Sequence, residues 1–143
     1  MSGMTQIVKT ITRLILGFIV VFSASVILYG HLTPGGGFAG GSMLACGFVL
    51  LLLAFGKEGS RAVLTENGAS IWDSVGAFAF LCIALLGYAA KAFFVNFLPH
   101  GAPFRLISAG TVMWSNIAIG IKVAACLFAV YLVLAAFRPS DST

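Results

Sequence analysis

Lys122 stands about midway along a long apolar stretch near the C-terminal end of the sequence. A lysine at bilayer depth costs about 2.5–3.5 kcal/mol to insert, so it needs a water-filled niche, a partner or a route to the interface. Ser108, Thr111, Ser115 and Lys122 recur at helical spacing and fall on one face, with Trp114 and Asn116 on adjoining faces. A polar stripe on a membrane helix faces protein or water. Two chemistries fit it: proton relay, or an ion pair with a carboxylate. The four acids, Glu58, Glu66, Asp73 and Asp141, all read as lying near the membrane ends of their segments. The expectation is therefore that a neighbouring subunit supplies the counter-charge to Lys122.

Three further ionisable groups are candidates for an ion path. His31 precedes a glycine-rich stretch, and imidazole exchanges protons near physiological pH; the plainer reading is a histidine at the interface. Asp73 and Lys91 share one apolar stretch but lie 18 residues, about 27 Å, apart and cannot touch. Asp73 reads as a helix-start charge or a carboxylate at the mouth of a path. Lys91 reads as snorkelling to the opposite interface.

The glycine-rich stretch, HLTPGGGFAGG over residues 31–41, sits between two of the most apolar segments. Gly35, Gly37 and Gly40 satisfy G-x-G-x-x-G, yet no strand precedes them and no soluble βαβ unit surrounds them, so dinucleotide binding is excluded. Two readings remain open. Gly36 with Gly40, and Gly37 with Gly41, are each four apart and could let helices approach closely. Alternatively, Pro34, Gly35, Gly36 and Gly37 with Phe38 hold an irregular segment at membrane depth, which is tolerated only where it is buried in protein or lines a water-filled cavity.

These residues require a membrane to position them. Of 143 residues, 60% are hydrophobic and 8% charged, and the mean hydropathy is +1.09. That is far below the roughly 25% charged residues of a soluble domain. Four stretches, about 11–29, 38–55, 74–98 and 106–137, reach the roughly 20 apolar residues that a spanning helix needs. The sequence thus predicts an all-α integral membrane protein, a single domain of four transmembrane helices with an irregular Gly/Pro-rich segment between the first two. A cleaved signal peptide is the rival for the first stretch and would leave an odd number of spans.

Lys9, Arg13, Lys57, Arg61 and Arg138 fall on one side of such a topology, which places both termini in the cytoplasm. The basic residues are spread singly, so no nucleic-acid surface is predicted. Cys46, Cys82 and Cys126 lie in separate apolar runs with no ligand spacing, and two isolated histidines make no metal site. Neither a hydrolase nor a metalloprotease motif is present, so no catalytic residue, metal or cofactor is expected. A stand-alone exporter that trades protons on a mid-span carboxylate is excluded on the same reading of the acids.

Gly30-His31, then Pro34-Gly35-Gly36-Gly37-Phe38, then Gly40-Gly41, followed by a leucine-rich span, resembles the signature of the B subunit of Mrp-type multisubunit cation/proton antiporters. The length and four spans fit that family end to end, and Gly101-Ala102-Pro103-Phe104 is similar as well. The resemblance implies a small, non-enzymatic subunit of a large complex in a prokaryotic cell membrane that exchanges Na+ for H+, with other membrane subunits as partners. Leu32 stands where family members often carry asparagine. Asn116 to Lys122 occupies a part of the last span where many antiporter members carry an acid. That version is similar to the branch found in membrane-bound hydrogenases and related complexes, and a purely structural subunit would use the same glycines and lysine.

Overall fold

The computed structural model describes residues 4–60, 65–90, 92–96, 98 and 109–136. Among them are four helices: α1 (Gln6–Leu28), α2 (Gly36–Ser60), α3 (Glu66–Leu86) and α4 (Thr111–Ala136), with a short 3-10 turn, Gly87–Ala90, extending α3. Each is long and apolar enough to cross a membrane; in α2 the qualifying part is Gly36–Gly56, because Gly56 (φ 74°, ψ −179°) breaks the helix there.

Helix ends depart from the expected spans for local reasons. α3 begins at Glu66, eight residues before the expected start at 74, because Thr65 caps it: its Oγ1 accepts from the Gly68 N–H at 3.2 Å. α4 begins at Thr111 rather than near 106. Asn96 reaches across from the preceding segment, and its Oδ1 accepts from the Thr111 N–H at 3.0 Å and from the Thr111 hydroxyl at 3.3 Å. The side chain of a distant residue thus serves as the N-cap of α4. At 26 residues α4 is about 39 Å long, more than the roughly 30 Å hydrocarbon core, so it tilts or protrudes.

The spatial order is α1, α2, α4, α3, with α1 touching α4 only slightly and the backbone of α3 running beside α4 alone. Small residues set the separations. A Cβ at Gly40 would press on Ile27 of α1 and stand 2.9 Å from the Ser23 carbonyl, and one at Gly47 would meet Leu16 and Ile19 at 3.1 Å. Between α2 and α4, Gly41 sits against Gly120 and Val123; between α3 and α4, Gly76 sits against Ala118 and Lys122. A cluster of Leu52, Ala69 and Leu132 around Phe128, itself 1% exposed, fills the space where α2, α3 and α4 meet, and Phe48 packs edge-on against Phe128 at 5.8 Å between centroids.

The outer faces are hydrocarbon. Ile7, Leu14, Phe18 and Val21 of α1 and Phe78 of α3 are largely exposed. In water such a surface would aggregate; in a bilayer it faces lipid or other membrane subunits.

Candidate functional site

The glycine-rich stretch divides at Gly35. Residues 29–35 form turns and bends in which the Tyr29 carbonyl accepts from the N–H groups of Leu32 (2.8 Å) and Thr33 (2.9 Å) and from the Thr33 hydroxyl (3.0 Å). Gly35 (φ 132°) and Gly36 (φ 63°) adopt backbone angles that side chains disfavour, which lets the chain turn and enter α2 without a linker. From Gly37 to Phe55 the backbone is helical. Gly37, Phe38, Gly40 and Gly41, all expected to shape the irregular segment, are instead the first turns of α2.

Asn116 of α4 explains that helix start. The Gly37 N–H donates to Asn116 Oδ1 at 3.4 Å, so α4 supplies a cap for one of the amides that the start of α2 leaves unbonded. Three glycines make room for it. A Cβ at Gly30 would lie 2.8 Å from Asn116 Nδ2, one at Gly36 would lie 3.3 Å from Asn116 Oδ1, and one at Gly37 would collide with the Asn116 carbonyl. Phe38, in contrast, is 65% exposed and points away from this contact. Pro34 is exposed in the turn, and His31 is half-buried there.

Lys122 corrects the expectation drawn from the positions of the acids. Its Nζ donates to Asp73 Oδ1 at 2.7 Å, an ion pair within the chain. Because α3 begins at Glu66, Asp73 is no helix-start charge; it lies about 10 Å along the helix. Lys122 lies about 16 Å along α4. Gly76, one turn beyond Asp73, allows the close approach: a Cβ there would stand 2.9 Å from both the Lys122 Cβ and its backbone nitrogen. On the other side of Asp73 lies an open, mostly apolar surface cleft of about 350 Å³, lined by Ser70, Asp73, Cys126, Ala129, Val130 and Val133 among others. The cleft runs from the ion pair toward the start of α3 and the end of α4.

The remaining polar positions behave differently. Thr111 and Ser115 are buried, and their hydroxyls bond locally, Ser115 to the Thr111 carbonyl at 3.0 Å and Thr111 to Asn96. They set the start of α4 rather than forming a chain toward Lys122. Lys91 and Ser108 lie outside the described residues. Among the described residues no three His, Cys, Asp or Glu side chains gather in one place. Sequence reasoning missed Asn96 and Gly76. A lone asparagine carries no capping signal when its helix begins 15 residues later, whereas glycine on a membrane helix is a weak signal of a contact face.

Four membrane-length helices with an ion pair between two of them define a multi-pass membrane protein. Residues 7–133 match the domain related to the MnhB subunit of Na+/H+ antiporters, and the chain belongs to that family. It is 36% identical over 94 residues to the B subunit of a Na(+)/H(+) antiporter from Bacillus subtilis, covering 66% of this chain and 63% of that protein. It is 31% identical over 130 residues to an uncharacterised protein of Methanocaldococcus jannaschii, covering 86% of this chain and 49% of the relative. The chain thus spans from about half to just under two thirds of the length of these relatives. Its fold is similar to a chain in the membrane-bound sulfane sulfur reductase, an archaeal respiratory membrane complex, with TM-score 0.75 and 27% identity over 91% of this chain and 60% of that one.

Proposed function

We propose that this protein is a non-enzymatic subunit of a multisubunit Na+/H+ antiporter of the cell membrane, contributing both to assembly and to the ion path. Family membership supports the first part, and the antiporter subunit of Bacillus subtilis is the relative that carries it. The observation that carries the second is the Lys122–Asp73 pair: a bonded carboxylate and ammonium between two spanning helices, beside a cleft. An intramembrane ionisable pair marks a proton or ion route more often than it serves stability alone. The neighbours are other membrane subunits, the transported ions are Na+ and H+, and the basic residues favour cytoplasmic termini. His31 and Lys91 are candidate members of the route at the opposite membrane face. Likeness to a chain of the sulfane sulfur reductase complex fits the same module in a respiratory host, and redox subunits co-purifying with the chain would identify that host.

The test is Na+-driven proton movement in inverted vesicles carrying the complete complex, with Lys122→Met compared with native protein after assembly has been established on a native gel. Assembled complex with exchange reduced tenfold or more is the expected result. Assembled complex exchanging at the native rate overturns the ionic role and leaves this chain a structural subunit.

A further inference from the structure

The start of α1 carries a second cationic feature, which the ion pair does not involve. Lys9 and Arg13, four residues apart on one face of α1, converge on a single ring: Lys9 Nζ lies 5.8 Å and the Arg13 guanidinium carbon 5.0 Å from the centroid of Phe55 near the end of α2. The Met4 amide donates to the Ala54 carbonyl at 3.0 Å, which ties the start of α1 to the end of α2 and fixes the notch. The electron-rich face of Phe55 favours each cation but neutralises neither. Asp73, the acid whose side chain the structure describes, is committed to Lys122. Among the described side chains, no acid faces these two like charges held at one ring.

Below Arg13 the same helical face continues as Gly17, Val20 and Ala24. Nothing stands within 4 Å of where a Gly17 side chain would begin, Val20 is 40% exposed and Ala24 is exposed. This face is open and low in relief at Gly17 and Ala24, and it runs from the cationic notch along α1 into the bilayer. The notch fits an anionic head, and the open face fits an acyl chain. No soluble anion uses both.

We infer that Lys9, Arg13 and Phe55 form a binding site for the headgroup of an anionic phospholipid, with one acyl chain laid along Gly17, Val20 and Ala24. The phosphate sits between the two cations at the membrane interface, where basic side chains of spanning helices attract anionic lipids. The inference rests on the notch and not on the ion path.

The experiment uses the complete complex, purified in mild detergent and titrated with phosphatidylglycerol or phosphatidylcholine, with bound lipid read by native mass spectrometry. Native complex should retain phosphatidylglycerol preferentially, and Lys9→Gln/Arg13→Gln should bind it about thirtyfold more weakly, from two basic contacts at the membrane surface. Because removing both charges disturbs insertion signals, Phe55→Leu serves as the second variant. It keeps both charges and should weaken retention about fivefold through the lost ring contacts. Equal retention of the two lipids by native complex, unchanged retention in Phe55→Leu together with any double variant that inserts, or full displacement of the lipid by millimolar inorganic phosphate would each overturn the inference.

Discussion

Removing either partner of the Lys122–Asp73 pair leaves a charge between two membrane helices, and the cost can be bounded. Breaking a fully buried pair costs about 3–5 kcal/mol, because the survivor remains desolvated, whereas an exposed pair is worth about 0–1 kcal/mol. Here the two side chains are 44% and 34% exposed in the isolated chain. The expected cost lies between those limits, at about 2 kcal/mol for Asp73→Asn and the same for Lys122→Met. That is about a thirtyfold change in the folding equilibrium. The double variant removes both charges, so its cost should fall below about 1 kcal/mol, giving a coupling near 3 kcal/mol once the two single losses are subtracted. The assay is dodecyl sulfate titration of the chain in mixed micelles, with all four members of the cycle measured under one condition. Additive losses would refute the reasoning, since they would mean that the two groups are solvated separately. Transport by the same variants separates role from stability: a double variant that regains assembly but not exchange needs the charges for ion movement, and one that regains both needs them only for packing.

Other perturbations follow from the helix contacts. Gly41→Ala places a methyl group 2.6 Å from the Gly120 carbonyl and 2.9 Å from the Val123 Cβ, and should destabilise the chain by about 1–3 kcal/mol; Gly17→Ala, with open space around it, should be neutral or stabilising by up to about 1 kcal/mol in the same titration. Asn96→Ala removes the acceptor for the Thr111 N–H and hydroxyl and should cost about 1–2 kcal/mol, with hydrogen exchange rising first at the start of α4. Phe38→Ala should leave the stability of the isolated chain unchanged, because the ring is 65% exposed, yet reduce recovery of assembled complex on a native gel if that ring packs against a neighbouring subunit.

Hydropathy made the four spans legible, because a bilayer selects for long apolar runs whatever packs inside it. Their ends were less legible, with consequences for the site. Thr65, Glu66 and Asn67 look like loop by polarity, whereas the Thr65 cap makes Glu66 the first residue of α3. Misplacing that start moved Asp73 to the membrane edge and hid it as the partner of Lys122. The four-residue spacing of Gly36 with Gly40 and of Gly37 with Gly41 left packing and an irregular segment both open, and these glycines lie against α1 and α4. What they pack against could not be read, since the meeting of Gly37 with Asn116 depends on the register of two helices 79 residues apart in sequence. The polar stripe on α4 was legible as a face, but its members have separate tasks: Thr111 and Ser115 bond locally, and Lys122 bonds to α3.

The spatial order α1, α2, α4, α3 differs from the order of synthesis, and that fixes a sequence of events in biogenesis. The α1–α2 hairpin can close as soon as both helices have entered the bilayer, since Gly40 and Gly47 already meet their partners on α1. When α3 follows, the helix that its backbone runs beside does not yet exist, and Asp73 enters the membrane with its counter-ion still untranslated. Only the later arrival of α4 between the hairpin and α3 supplies Lys122, delivers Asn116 to the start of α2 and lets Phe128 join the three helices. Until then Asp73 lacks the partner it has in the finished fold, although α3 is itself long and apolar enough to span the bilayer.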